Sequence, residues 1–320
     1  MRLPVLTDTL RLERLRPPSG KVRMVLDTDT YNEIDDQFAV VHALLSPERL
    51  RVEAIYAAPF SNSRSAGPAD GMEKSYDEIL RVLARLGLAH EGFAFRGSAG
   101  YLPGANEPRA SDAAHDLVAK ALRAGEEPLY VVAVGAITNV ASAILLEPAI
   151  LERIVVVWLG GQPLHWPTAR EFNLQQDLHA SRLILDCGVP LVQIPCSGVS
   201  SHLLTTVAEI ERYVAGQGAI GDYLASIFKA YHADHFAWSK VIWDIAGIAW
   251  LLDNSWVPTE LVHSPILTDQ VTWSVDRTRH LVRFATHVRR DPVFRDLFTK
   301  LARRAAPPIK PNASLTTPEE

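Results

Sequence analysis

The 320-residue chain has only two cysteines, Cys187 and Cys196. Two thiols cannot make a disulfide framework, and such thin cysteine usage fits a reducing compartment, so a cytoplasmic protein is expected. No apolar run approaches the roughly 20 residues that a membrane-spanning helix needs. The N-terminal stretch carries Arg2, Asp8, Arg11, Glu13, Arg14 and Arg16 with no apolar block behind them, which is not the pattern of a secretory signal. Positive charge is not in excess. The 32 Lys and Arg stand against 37 Asp and Glu, and pairs such as Arg289-Arg290 and Arg303-Arg304 are too small to make a nucleic-acid face. Neither nucleic acid nor a membrane is expected as a partner. A Cys/His cluster of the kind that holds zinc is also missing.

What is present is an ordinary globular balance, 48% hydrophobic and 22% charged, in a chain long enough to bury a large core. Short apolar runs alternate with helical patterns. Lys21 to Leu26, Val52 to Ala58, Leu129 to Val134, Ile154 to Leu159 and Val189 to Ile194 read as strands. Asp36 to Ser46, Glu73 to Leu86, Ser111 to Ala124, Thr138 to Leu146, Asp177 to Asp186, Glu209 to Tyr231 and Ile242 to Leu252 read as helices. This rhythm predicts an α/β, Rossmann-like fold with a mostly parallel central sheet and helices on both faces. Val262 to Val288 differs. Its alternating, charged, β-branched segments around Asp276-Arg277 predict a β-hairpin near the C-terminal edge of the sheet. The division expected is an N-terminal extension over 1–20, a single domain over 21–304, and a disordered tail rich in Pro, Ser and Thr over 305–320.

In such a sheet the working site lies outside the carboxyl ends of the strands. Asp27-Thr28-Asp29, Pro59-Phe60-Ser61-Asn62, Gly135 and Gly160-Gly161 fall there. The densest signal is Asp27-Thr28-Asp29-Thr30-Tyr31-Asn32-Glu33-Ile34-Asp35-Asp36, with four aspartates and one glutamate in ten residues. Gathering so many carboxylates is costly unless a cation neutralises them. Oxygen-only ligands select a hard ion, calcium or magnesium. The blander reading is that Asp35 and Asp36 cap a helix. Thr138 and Asn139 read as residues that satisfy a helix start, and Trp158 and Trp250 as core.

At this loop the sequence resembles the inosine-uridine-preferring nucleoside hydrolase family, which opens with a strand and an Asp-x-Asp…Asp-Asp loop. Here Asp27-Thr28-Asp29 and Asp35-Asp36 meet the pattern, although the stretch Thr30 to Ile34 is two residues longer than usual and carries Glu33. Other segments agree in order. They are Val134-Gly135-Ala136-Ile137-Thr138-Asn139, Val157-Trp158-Leu159-Gly160-Gly161, Glu171-Phe172-Asn173-Leu174 with Asp177, Gly188-Val189-Pro190-Leu191, and Trp243-Asp244 before an apolar helix. Together they span about residues 22 to 253.

The resemblance implies metal-dependent hydrolysis of the N-glycosidic bond of a ribonucleoside, with Ca2+ as cofactor and a homodimer or homotetramer as the assembly. It implies that Asp29, Asp36, Asp244 and the backbone carbonyl of Val134 hold the ion, and that Asp29 is the catalytic base. It places Asp35, Glu171, Asn173 and Asn62 on the sugar hydroxyls. His165 stands near the family's Asn at the sugar's 5′ end. Trp243 replaces a frequent His and resembles the purine-specific branch, where it would stack on the base; core packing is its plainer reading. Tyr231, His232, His235, Phe236 and Trp238 are candidates for the rest of the base pocket. Two other functions remain open on the residues alone. One is a Mg-dependent phosphohydrolase with an Asp-x-Asp after its first strand. The other is a calcium-stabilised nucleoside- or sugar-binding protein without turnover.

Overall fold

The computed structural model describes residues 3–123, 125 and 127–305. Its strands are Val22–Thr28 (β1), Leu50–Ala57 (β2), Ala94–Phe95 (β3), Leu129–Ala133 (β4), Ile154–Leu159 (β5), Leu191–Ile194 (β6), Leu204–Thr205 (β7), Lys240–Val241 (β8), Thr259–His263 (β9), Ile266–Leu267 (β10), Trp273–Ser274 (β11) and Leu281–Ala285 (β12). Eight of them form one sheet in the order β3-β2-β1-β4-β5-β6-β12-β9. The pairings from β3 to β12 are all parallel, and only β9 runs antiparallel, against β12. The α/β architecture expected from the sequence is the one observed.

The two faces of the sheet carry separate cores. Met24 and Leu26 of β1 point into one, Val25 into the other. A strand covered on both sides must be apolar on both, which is why β1, β4 and β5 read as continuous hydrophobic runs. The helices Asp36–Leu44, Pro68–Arg85, Gly218–Ala230 and Ile245–Leu252 contribute to the first core, and Asp112–Ala121, Thr138–Leu146 and Leu178–Asp186 to the second. Helix Ile245–Leu252 lies very close to the sheet. A Cβ on Gly247 would meet the Val132 side chain at 2.8 Å, so only glycine permits that approach.

The edge hairpin is more elaborate than expected. β9 and β12 pair, but the small antiparallel pair β10 and β11 is inserted between them. The segment read as one helix from Glu209 to Tyr231 is two, Val207–Tyr213 and Gly218–Ala230, broken near Gly216 and Gly218, which both have positive φ. The N-terminal segment holds a helix, Asp8–Arg14, capped by Thr7 and seated by buried Leu6, Arg11 and Leu15. The Arg11 guanidinium donates to the Gly188 carbonyl. Ala124, where one expected helix ends, and the tail beyond Ala305 lie outside the described residues.

The strand order reverses between β1 and β4. A crevice opens at that point, beyond the carboxyl ends of both strands, and the acid loop begins there.

Candidate active site

β1 ends in Asp27-Thr28, and the chain then turns through Asp29 to Asp35 before helix Asp36–Leu44. Asp27 stays within the sheet. It accepts from Asn139 Nδ2 at 2.7 Å, and burial pushes its carboxyl up to about 7, opposed by that bond. Asn139 also donates to the Ala57 carbonyl at 3.1 Å and accepts from Ser98 N at 2.7 Å. It therefore ties β1, β2 and the residues after β3 together, a larger role than satisfying a helix start. Its neighbour Thr138 donates to Asp177 at 2.7 Å.

The acids beyond Asp27 line a cavity of about 240 Å³. Asp35, Asp36 and Asp244 present carboxylate oxygens within 4.8 Å of one another, all buried. Asp29 lines the same cavity and its Oδ2 is buried with no hydrogen-bond partner. The trio whose carboxylate oxygens come together within that distance includes Asp35 rather than Asp29. Thr28 Oγ1 donates to Asp36 at 2.5 Å, and Trp243 N donates to Asp35 at 3.1 Å. Asp35 has no side-chain capping bond to the helix that follows, so its carboxylate is free of the blander role the sequence allowed. Gly135 makes room for Asp29, since a Cβ there would lie 3.0 Å from the Asp29 carboxyl carbon and 3.1 Å from Ala58 Cβ.

Burial, then the neighbouring negative charges, hold Asp29 and Asp244 well above the ordinary carboxylate range. Burial and then Asp35 push Asp36 up to about 7. Burial raises Asp35 to about 6 against the pull of Lys240. Four buried carboxylates, one with an orphaned oxygen, are the donor set of a hard divalent cation and fit one well. Val134 lines the same cavity, and its carbonyl accepts from Asn173 Nδ2 at 3.0 Å.

The rest of the lining comes from the end of β5, the segment that follows it, and residues just beyond β6. Glu171 caps helix Phe172–Gln176, accepting from Asn173 N, Leu174 N and Gly161 N at 2.9 to 3.0 Å. Burial nevertheless raises its pKa, with those backbone bonds opposing. Asn173 spends its second N–H on the Leu159 carbonyl at 3.1 Å. Its remaining side-chain capacity is as an acceptor, which suits a hydroxyl.

Trp243 lines the cavity, half-buried, with part of its ring against the core. Asn62 is outside the lining; its Nδ2 donates to Asn32 at 2.6 Å, and Asn32 is the one in the wall. His165 is exposed and is not among the residues that line the cavity. Tyr231, His232, His235, Phe236 and Trp238 are also absent from the lining; His232 stacks on Trp238 at 5.3 Å, and Phe236 is 89% exposed. Glu33, singled out in the long acid loop, lines the cavity, whereas sequence reasoning missed Asn32, Gln162, Cys196 and Ser197 as wall residues. Cys196 and Ser197 come one residue beyond the end of β6, after Pro195, so the strand-end rule applied to that strand would have found them.

A parallel sheet with a buried acidic cavity at its switch point is the architecture of an α/β protein whose site could hold a cation. The family model for inosine-uridine preferring nucleoside hydrolases matches residues 24–295, and the chain belongs to that family. It is a hydrolase of the ribonucleoside N-glycosidic bond. The chain is 31% identical over 258 residues to the pyrimidine-specific ribonucleoside hydrolase RihA of Salmonella typhimurium, covering 72% of this chain and 79% of the relative. The Klebsiella pneumoniae protein of the same name is 31% identical over 259 residues, with the same coverage. The purine-preferring ribonucleoside hydrolase of Gardnerella vaginalis superposes with a TM-score of 0.72 at 20% identity, covering 88% of this chain and 99% of that one. A plant nucleoside hydrolase superposes with a TM-score of 0.69 at 19% identity, covering 89% and 99%. The family match decides against a phosphohydrolase.

Proposed function

We propose that the chain is a calcium-dependent ribonucleoside hydrolase with a preference for purine nucleosides. The carrying observation is the buried cluster of Asp35, Asp36 and Asp244 with the orphaned oxygen of Asp29 beside it. Asp29, Asp36, Asp244 and the Val134 carbonyl would hold the ion, with Asp35 near enough to share it or to take a ribose hydroxyl. Calcium held there would supply Lewis-acid chemistry that makes a water molecule a better acid. Asp29 takes the proton from the attacking water, because its free oxygen has no other partner. Asn173 accepts from a sugar hydroxyl, and Glu171 fixes the short helix that carries it. Asn62 acts through Asn32. His165 is exposed and outside the cavity lining, so the proposal rests no step on it. The surrounding carboxylates favour the positive charge that develops on the sugar ring as the bond breaks.

Trp243 supports the purine reading. It is an aromatic ring in the cavity wall directly before Asp244, and an indole face favours the larger base. A pyrimidine preference is the second reading, favoured by the names of the relatives at 31% identity. Release of ribose from inosine and from uridine, each with and without chelator, tests the whole proposal. Inosine turnover that chelation abolishes and calcium restores supports it. Faster uridine turnover selects the second reading, and release of ribose from neither nucleoside overturns both preferences. A cytoplasmic homodimer or homotetramer belongs to the same proposal, and light scattering on the purified chain measures the assembly.

A further inference from the structure

Lys240 is a buried lysine beside a cluster of acids that a cation is to occupy, and the proposed reaction gives it no task. Its ammonium pairs with Glu33, 207 residues earlier in the chain. The Lys240 side chain is 10% exposed and that of Glu33 is 37% exposed, so the pair is partly sheltered from water rather than a solvated surface contact. The same ammonium donates to the Val241 carbonyl at 3.2 Å and lies 5.2 Å from the Tyr231 ring centroid. Asp35 is the other carboxylate whose charge it feels.

The position of the pair matters more than its charge. Glu33 belongs to the loop of five residues between Asp29 and Asp35 and lines the cavity. Lys240 opens β8, which pairs with β7 over only two residues, and Ile242 N continues that contact to the Leu203 carbonyl at 2.8 Å. Just after β8 come Trp243 and Asp244. Upstream, residues 231–239 hold no helix or strand and include Ala237 with a φ of 53°. The segment that delivers Trp243 and Asp244 to the cavity is thus held on one side by a two-residue ladder. On the other side it touches the acid loop through Trp243 N to Asp35 and through Lys240 to Glu33.

We infer that Glu33 and Lys240 form a latch that fixes the register of Trp243 and Asp244 against Asp35 and Asp36. Both are positioning residues. The inference rests on the reading that the acid cluster holds a cation. A latch differs from a counter-charge in what each partner's loss does. If Lys240 merely diluted the negative charge, its removal would tighten cation binding, and removal of Glu33 would weaken it. A latch loses the same geometry whichever half is removed.

The test is a double-mutant cycle with Glu33→Gln, Lys240→Met and the two combined, plus the charge-reversed pair Glu33→Lys with Lys240→Glu. Calcium titration followed by tryptophan fluorescence is one readout, and kcat/KM for ribose release from inosine or uridine, whichever is turned over faster, is the other. A latch predicts that both single variants weaken calcium binding by roughly tenfold, the scale of lost outer-sphere support around a metal. It predicts a combined variant no worse than either single one and substantial recovery in the reversed pair. Shifts of opposite sign in the single variants, additive losses, or no change would overturn it. If the wild-type chain takes up no calcium, the cation reading falls, and the kinetic cycle still judges the latch. Equal, non-additive losses in kcat/KM then support it, and unchanged kcat/KM overturns it.

Discussion

Asn173 donates one amide N–H to the Val134 carbonyl at 3.0 Å and the other to the Leu159 carbonyl at 3.1 Å. One side chain thereby bridges the ends of β4 and β5 and sets the height of a carbonyl in the cavity wall. Asn173→Ala leaves two strand-end carbonyls without donors. A lost buried partner of this kind costs about 1–3 kcal/mol. Urea unfolding should show a drop on that scale, together with a rise in KM. Asn173→Asp should be worse for turnover, because it sets a further acceptor against two carbonyls. Unchanged stability and KM in the alanine variant would mean that water replaces both bonds.

Asp29→Ala separates chemistry from stability. General-base catalysis is commonly worth about 10² to 10⁴ in rate, so kcat for ribose release should fall at least that far. Thermal unfolding of the chelated protein should not fall with it, since the substitution removes a buried oxygen that has no partner and is raised by burial and by Asp36 and Asp35. A variant keeping a tenth of the activity would assign the proton to another group.

Stability of the chelated protein should decline as pH rises. Asp35 and Asp36 titrate at about 6 and about 7 in the fold, for the burial and charge reasons given above. An unfolded Asp titrates near 3.9. Between those values the folded chain holds more protons than the unfolded one, so raising the pH costs stability until the folded pKa values are passed. Calcium removes that cost by pairing with the ionised forms. The melting-temperature gap between calcium-loaded and chelated protein should therefore widen from pH 5 to pH 8. A gap that narrows, or no gap, contradicts a cation at these carboxylates.

Trp243→Ala should depress inosine cleavage more than cleavage of a nitrophenyl riboside, whose leaving group needs no help. Base–aromatic stacking is worth about 1–3 kcal/mol by alanine substitution, which is roughly a factor of 5 to 150 in kcat/KM. Equal losses on both substrates would leave Trp243 as a packing residue.

The acid loop was legible because its signal is local. Five carboxylates in ten residues after an apolar strand have few physical meanings, and Asp35 and Asp36 meet Asp244 in the fold. The parallel sheet was legible because β1, β4 and β5 are apolar on both faces. The illegible parts depend on direction or distance. His165 sits at an apt place along the chain, but nothing local says which way a loop residue faces, and it faces out. Asn62 lies after a strand end, yet its amide goes to Asn32, a contact between two loops that no local pattern reveals. Lys240 looks like any surface lysine until the fold brings Glu33 to it.

Gly247 places helix Ile245–Leu252 almost in contact with Val132, and Asp244 stands at the head of that helix. The depth at which the helix docks therefore sets how far Asp244 reaches toward Asp36. A methyl group at position 247 would act at a distance, lifting the helix and drawing a carboxylate back from a centre that residue 247 never touches. Crevice geometry here is governed from behind, by the thinness of the layer between helix and sheet.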